Sequence, residues 1–274
     1  MNAIARAVRI LLLVLLVGFA GFPIYWMLNT ALSSTNELYK SGQSLWLHLE
    51  RIGDIPAAFA KVPVGVWLGN SFWIAAGTTV LSLALGVLAG YALSRFKFYG
   101  KGIVGFLLFS TQMLPEALLV VPLYAIFTTL GLLNNLGGLV LANTAFVMPV
   151  AAFILKAAID DVPIEIEESA RIDGCPRMGI LSLVVLPLVK PSIAAAAVIS
   201  FFAGWNEFLF ANTFISNASL WPASIGLASF QGQFITPIEL VMAAALVFAL
   251  PAVVFFLLAQ RSIVSGMAAG AVKG

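Results

Sequence analysis

Long runs without a single charged residue are the feature that most limits how this chain can fold. The first runs from Ile10 to Asn36 and the second from Val62 to Ser94. Each is longer than the roughly 20 apolar residues that cross a bilayer core as a helix. Over the whole chain 61% of the residues are hydrophobic and only 9% are charged, with a mean hydropathy of +1.04. Because so little polar surface cannot cover a compact body in water, the sequence predicts an all-α integral membrane protein.

The start of the chain allows two interpretations. The segment from Met1 to Arg9 is short and basic, as in a secretory signal peptide. The apolar part of such a peptide is about 7 to 15 residues long, and the uncharged run that begins at Ile10 is longer. We therefore interpret this run as the first membrane span.

The stretch between Lys101 and Lys156 is predicted to cross the bilayer twice. Glu116 is its only charged residue, and one continuous helix would be about 80 Å long, far more than a bilayer thickness. A turn is predicted near residues 131–138, where glycine and asparagine cluster. A single domain over 1–274 then has six predicted spans, at about 10–32, 66–94, 102–130, 137–157, 192–214 and 240–260, and a polar loop over 158–191.

The distribution of lysine and arginine among the loops predicts how the chain is oriented in the membrane. Six spans with a cytoplasmic N-terminus place eleven positive residues inside and three outside, which is the arrangement that the positive-inside rule favours. The inside residues are Arg6, Arg9, Arg95, Lys97, Lys101, Lys156, Arg171, Arg177, Lys190, Arg261 and Lys273, and the outside ones are Lys40, Arg51 and Lys61. Both termini and the polar loop are therefore predicted to be cytoplasmic.

The polar loop has the local chemistry of a short helix of about three turns. Asp160 or Asp161 can cap its start, and Pro163 suits a first-turn position. Gly174 supplies the stop, and Pro176 prevents continuation. Three glutamates near the predicted start, Glu165, Glu167 and Glu168, would stabilise the helix because negative side chains interact favourably with the positive end of the helix dipole. An ordinary solvated connection between two spans would explain the same composition.

Motifs in and around this loop resemble a known family. Glu168-Ser169-Ala170, followed by Asp173-Gly174 and later by Leu186-Pro187, resembles the Glu-Ala-Ala loop of permease subunits in bacterial ABC importers. Ser169 departs from the alanine of that pattern but is also small. Further stretches resemble the sugar-transporting branch: Asn70-Ser71, Tyr91 to Arg95, Gln112 to Glu116, Trp205 to Phe208, and the tail from Gln260 to Gly274.

The resemblance implies a sugar or polyol importer made of several subunits. Its expected partners are a second permease subunit, two copies of a cytoplasmic ATPase, and an extracytoplasmic solute-binding protein that contacts the loop over 212–237. ATP and Mg are expected in the ATPase, because this chain lacks a Gly-x-x-x-x-Gly-Lys-Ser/Thr loop; no cofactor and no enzymatic activity are expected in the chain itself. In the family the cytoplasmic helix docks in a cleft of the ATPase, which implies that the coupling residues are Glu165, Glu168, Ser169, Ala170, Arg171, Asp173 and Gly174.

Two carboxylates, Glu116 and Glu207, fall within predicted spans, where ionisable residues are costly and suggest function. Glu207 follows Trp205-Asn206, and an aromatic face with carboxylate and amide groups could stack on and hydrogen-bond a sugar. The candidate solute path is therefore Glu116, Trp205, Asn206 and Glu207. Buried hydrogen bonds that fix helices to each other or to the partner permease would explain Glu116 equally well and Glu207 better.

Two other classes of protein compete with the importer. A secondary carrier would use Glu116 and Glu207 as proton or ion sites, and a structural scaffold would leave the polar helix unexplained. A single cysteine, Cys175, excludes an internal disulfide and a cysteine-based metal cluster, and nothing in the sequence suggests a nucleic-acid partner. The spans lack a basic cluster, which disfavours a strongly anionic solute unless the partner permease supplies one.

Overall fold

The computed structural model describes residues 3–60, 62–230 and 237–271, and within these ranges the chain forms helices and turns without a β-strand. The predicted all-α fold is confirmed. The α-helices are α1 (Ala3–Leu32), α2 (Asp54–Phe59), α3 (Val64–Arg95), α4 (Lys101–Thr111), α5 (Glu116–Thr129), α6 (Leu136–Asp160), α7 (Ile164–Ile172), α8 (Arg177–Gly179), α9 (Leu186–Leu188), α10 (Lys190–Trp205), α11 (Leu209–Phe214), α12 (Ala223–Ala228) and α13 (Ile238–Ala271). Predicted features that fall outside the described residues are Lys61, Lys273, the outer-loop residues 231–236 and the end of the tail, 272–274.

Five helical segments of the described chain are long and apolar enough to cross a bilayer. They are Ile4–Leu32, Val64–Arg95, Leu136–Asp160, Lys190–Phe214 and Ile238–Gln260. The pair α4 and α5 supplies a sixth when the two helices count as one span. This agrees with the six helices expected from the length of the uncharged runs.

The stretch predicted as the third span, 102–130, is not one helix. The axes of α4 and α5 differ by 102° across a short break. Pro115 explains the break, since its ring removes a backbone N–H and disfavours the helical conformation at Leu114. It lies at the N-cap of α5 with an extended backbone, φ −62° and ψ 124°. The pair therefore forms either a broken span or a re-entrant loop.

The described residues fall into two compact units, and the first contains those of 1–64 and 226–251. In this unit every side chain from Ile4 to Ile24 is exposed. Near the end of α1 the pattern reverses, because Asn29 and Ser33 are buried and the Asn29 Nδ2 donates to the Ser44 carbonyl at 2.6 Å. The apolar surface of α1 needs lipid or another subunit to cover it.

The second unit contains the described residues of 65–225 and 252–274, and α6 lies at its centre. Leu139, Ala152 and Leu155 of α6 are fully buried. On one side α6 contacts α3 at Gly90, where a Cβ atom would lie 3.0 Å from both the Ala152 carbonyl oxygen and the Lys156 nitrogen. On another side α10 packs along it. The glycine allows the two backbones to touch, so that α3 and α6 cannot shift independently.

Candidate functional site

The polar loop contains the predicted short helix, but this helix starts later than expected. α7 has nine residues, about two and a half turns, and Pro163 occupies its N-cap position without a side-chain cap. The prediction that Asp160 or Asp161 caps it is wrong. Asp160 is the last residue of α6, and its carboxylate accepts from the Ser94 hydroxyl and the Lys156 ammonium, at 2.5 Å each. Asp161 is the C-cap of α6.

The end of α7 agrees with the prediction. Gly174 has φ +82°, a left-handed conformation that glycine adopts without a steric penalty. This turn lets the Cys175 N–H donate to the Ala170 carbonyl at 3.0 Å, which satisfies an acceptor that the helix end would otherwise leave open. Pro176 then serves as N-cap of the next helix. Gly174 thus fixes where α7 stops and where the chain turns back.

The predicted coupling residues share one exposed segment. Ala170 is half-buried, whereas the remaining members of the set are exposed: Glu165, Glu168, Ser169, Arg171, Asp173 and Gly174. Large apolar side chains lie exposed beside them, with Ile172 at 86% and Met178 at 66%. This combination of charged, small and apolar groups is available to a protein partner.

Glu167 is a residue of α7 that was absent from the predicted set. Its side chain is only 2% exposed. Arg95 Nε of α3 donates to its Oε1 at 2.5 Å, and the Tyr91 hydroxyl donates to its Oε2 at 2.9 Å. The available signal was the spacing of Tyr91 and Arg95, which lie four residues apart and hence on one face of a helix.

A cavity of about 350 Å³ in the second unit collects polar side chains from three segments of the chain. Glu116 comes from the start of α5, Asn143 from α6, and Asn206 and Glu207 from the break between α10 and α11. Phe146, Val147, Ala203, Phe208 and Leu209 complete the lining. The two helix breaks and α6 therefore bring together three of the four residues predicted for the solute path.

Trp205 is the fourth predicted residue, and it does not line the cavity. It is 1% exposed and stacks on Phe201, with ring centroids 5.7 Å apart. Asn143 was not predicted, although a buried asparagine in an otherwise apolar helix is a usable signal. Its Nδ2 donates to the Leu139 carbonyl one turn earlier, at 3.0 Å.

The two cavity carboxylates have different surroundings. Both oxygens of Glu207 accept backbone N–H groups, Oε1 from Phe210 at 2.6 Å and Oε2 from Ala211 at 2.9 Å. Glu207 is 8% exposed. Its carboxylate therefore supplies hydrogen-bond acceptors to two N–H groups in the first turn of α11 after the break. Glu116 is exposed, and no described residue forms an ion pair with it. Glu116 is thus the carboxylate free to contact another molecule.

Comparison with known proteins fits this arrangement. The sequence profile of the binding-protein-dependent transport system inner membrane component matches residues 82–268, which include α7 and every residue of the cavity. The chain belongs to this family. It is a permease subunit of an ABC importer, and the secondary-carrier and scaffold interpretations are set aside.

Relatives of this permease match it over nearly its whole length. The sulfoquinovosyl glycerol transport system permease protein SmoH of Agrobacterium fabrum is 34% identical over 92% of this chain and 89% of its own. The trehalose transport system permease protein SugB of Mycobacterium tuberculosis is 34% identical over 95% of both chains. A bacterial ABC transporter involved in the import of the acidic polysaccharide alginate is similar in fold, with TM-score 0.77, 20% identity, and coverage of 95% of this chain and 98% of that one.

Proposed function

We propose that this permease subunit imports a sugar, oligosaccharide or polyol that an extracytoplasmic solute-binding protein delivers. The observation that carries the proposal is the 34% identity to permeases of saccharide-type transport systems over 92% and 95% of the chain. The mechanism is alternating access, in which a separate ATPase drives the opening of the spans to each side in turn. ATP and Mg belong to that ATPase and not to this chain.

The assembly contains a second permease subunit and two copies of the ATPase. In the proposed orientation both termini and α7 are cytoplasmic, as the distribution of Lys and Arg favours. The coupling surface consists of the exposed residues from Glu165 to Gly174, with Glu168 paired to a basic group of the ATPase. The large apolar side chains exposed beside it, Ile172 and Met178, support the proposal, because exposed apolar groups rimmed by polar residues mark interaction sites.

The solute path runs through the cavity that Glu116, Asn143 and Asn206 line. Carboxylate and amide oxygens accept hydrogen bonds from sugar hydroxyls, and amide N–H groups donate to them. Among the described residues no lysine or arginine lines the cavity, so this subunit's part of the path offers no cation to an acidic solute. Glu207 forms the wall, because its oxygens already accept two backbone N–H groups, and Trp205 supports that wall from behind.

The test is reconstitution of the complete transporter in liposomes, with its ATPase, second permease and solute-binding protein. Neutral disaccharides and polyols are expected to stimulate ATP hydrolysis and to be taken up, whereas acidic saccharides of similar size are not. Glu168→Lys and Gly174→Asp are expected to lose the ATPase or its stimulation. Asp161→Lys is the matched control, since Asp161 is exposed in the same loop but lies outside the coupling surface.

Two results would contradict the proposal. Uptake that stops when the proton gradient is removed while ATP remains would indicate a secondary carrier. Equal loss of stimulation in Asp161→Lys and Glu168→Lys would show that any charge change in the loop disturbs assembly, and that α7 has no specific docking role.

A further inference from the structure

The face of α7 that points away from the exposed coupling residues holds a buried ion pair with α3. Glu167 is 2% exposed, and the Arg95 side chain is 11% exposed. The Arg95 Nε to Glu167 Oε1 distance is 2.5 Å, and the Tyr91 hydroxyl occupies the second carboxylate oxygen at 2.9 Å. Both carboxylate oxygens are therefore bound by side chains of one helix, α3.

The same arginine also holds the chain just before α7. Arg95 Nη2 donates to the Val162 carbonyl at 2.7 Å, and Nη1 donates to the Ser94 hydroxyl at 3.2 Å. A planar guanidinium with fixed donor directions thus binds Glu167 in the middle of α7 and Val162 in the chain that leads into it. Two points of attachment prevent α7 from rotating about either one of them.

Apolar packing already holds this region together without the ion pair. Ile159, Val162, Ile180 and Val185 are buried with Tyr91 in one cluster under α7. Moving two charges out of water costs free energy that offsets much of their mutual attraction, so a buried ion pair adds little to stability. Its best-documented role in proteins is to select one packing arrangement over others. The pair therefore defines the position of α7 relative to α3 more than it strengthens the fold.

The helix that receives this attachment leads to the solute cavity. One turn before the attachment, α3 touches α6 at Gly90, where a Cβ would lie 3.0 Å from the Ala152 carbonyl. Nearer the other end, α3 touches α10 at Gly204, where a Cβ would lie 2.8 Å from the Ala75 Cα. α6 carries Asn143, and α10 ends at the break that carries Asn206 and Glu207. A contiguous set of rigid contacts thus joins α7 to the cavity.

We infer that Arg95, Glu167 and Tyr91 form the joint through which movement of α7 by the ATPase reaches α3 and the solute cavity. These three are positioning residues, because they lie behind the docking surface and outside the cavity. The inference rests on the proposed docking of α7 on an ATPase. Without the joint, α7 remains docked and moves with the ATPase, but α3 no longer follows it.

The test measures coupling separately from assembly, in liposomes that contain the complete transporter. Glu167→Gln has the same shape but lacks the charge that holds Arg95. It is expected to copurify with the ATPase as the wild type does, while solute imported per ATP hydrolysed falls by about 3-fold to 30-fold. Arg95→Gln is expected to show the same loss, and the double variant no more than either single variant, because all three remove one joint.

The matched control is Arg51→Gln. Arg51 forms an ion pair with Asp54, Nε to Oδ2 at 3.4 Å, with side chains 34% and 71% exposed. The variant removes a cation from an ion pair as Arg95→Gln does, but Arg51 lies in the first unit and takes no part in the contacts that lead from α7 to the cavity, so the solute-to-ATP ratio is expected to stay at the wild-type value. An equal loss in this control would overturn the inference.

A reversible cross-link covers the case in which the glutamine variants fail to assemble. Arg95→Cys and Glu167→Cys are combined with Cys175→Ser and joined by a bis-methanethiosulfonate linker that dithiothreitol cleaves. The linked form is expected to restore the solute-to-ATP ratio, and reduction is expected to abolish it again. If the assembled, linked complex stays uncoupled, or if Glu167→Gln imports as much solute per ATP as the wild type, the inference is wrong. If the wild type itself shows no ATP-coupled uptake, the proposed function fails instead.

Discussion

Replacing each cavity carboxylate by glutamine separates a structural role from a solute-binding role. Glu116→Gln and Glu207→Gln each remove one negative charge from the same cavity and keep the size of the side chain. The two residues differ in what they contact. Glu207 accepts two backbone N–H groups, whereas Glu116 is exposed and has no ion-pair partner among the described residues.

The expected cost follows from the hydrogen bonds of Glu207. Glutamine has only one acceptor oxygen, so its amide nitrogen would face either the Phe210 N–H at 2.6 Å or the Ala211 N–H at 2.9 Å. One charge-assisted bond is lost at a residue that is 8% exposed, which costs about 1.5–3 kcal/mol. Glu116→Gln breaks no such bond and is expected to change the free energy of unfolding by less than about 0.5 kcal/mol.

Three measurements on the complete transporter check this difference. The melting temperature is expected to fall for Glu207→Gln and to stay at the wild-type value for Glu116→Gln. Amide hydrogen exchange at Phe210 and Ala211 is expected to speed up in the first variant alone. Solute-stimulated ATP hydrolysis is expected to need about tenfold more loaded binding protein in Glu116→Gln, because a charged hydrogen bond to a hydroxyl is lost.

The opposite pattern would refute the reasoning. If Glu207→Gln melts like the wild type and mainly weakens the response to solute, its carboxylate contacts the solute and the two backbone N–H groups have other partners. If Glu116→Gln changes neither stability nor the response to solute, the cavity is not the solute path in this subunit. Glu207→Gln with slower import but normal exchange at Phe210 would also contradict the capping role.

Three further predictions concern other parts of the chain. Gly174→Ala and Gly100→Ala both place a Cβ at φ +82° in open space, so each costs about 1–2 kcal/mol, but only Gly174→Ala is expected to reduce ATPase copurification. Hydrogen bonds from the backbone N–H and hydroxyl of Ser34 lower the pKa of Glu37 below its ordinary 4.5. The stability that this turn adds is therefore fully present above pH 4.5 and lost as the pH falls through the lowered pKa. Protection of the amides over 34–39, measured relative to their intrinsic exchange rate at each pH, should fall on acidification in the wild type but not in Glu37→Gln. Cys175, the only thiol, should react with an impermeant maleimide in inside-out vesicles and not in right-side-out ones, unless the orientation is reversed.

Much of the coupling helix could be predicted, because its signals are local. Gly174 marks the end of α7 through a conformation that few other residues adopt, and the prediction holds. The start was predicted wrongly because the Asp160 carboxylate is engaged by Ser94 of α3 and by Lys156. Ser94 lies 66 residues away in the chain, so no inspection of the loop alone reveals that Asp160 is unavailable as a cap.

The helix breaks could also be predicted only in part from the sequence. Pro115 indicated that a helix breaks at this point, but the 102° angle between α4 and α5 depends on what each helix packs against. The break at residues 206–208 had no proline to mark it. Without that break the Phe210 and Ala211 N–H groups would not be free to donate to the Glu207 carboxylate. The sequence therefore favoured a buried hydrogen-bonding role for Glu207 over a solute contact, but it could not identify these two N–H groups as the partners.

Most of the charged side chains within or beside the spans of the second unit that have been described have a bonding partner. Arg95 and Glu167 satisfy each other at the end of α3, and Lys156 and Asp160 do so at the end of α6. Glu207 is satisfied by backbone N–H groups. Among the carboxylates of these spans that leaves Glu116, which is exposed in a cavity beside Asn143 and Asn206 and has no ion-pair partner among the described residues. An unpaired carboxylate at membrane depth is costly unless water or a polar ligand reaches it. A solute path through this subunit therefore depends on Glu116, and the Glu116→Gln variant is its most direct test.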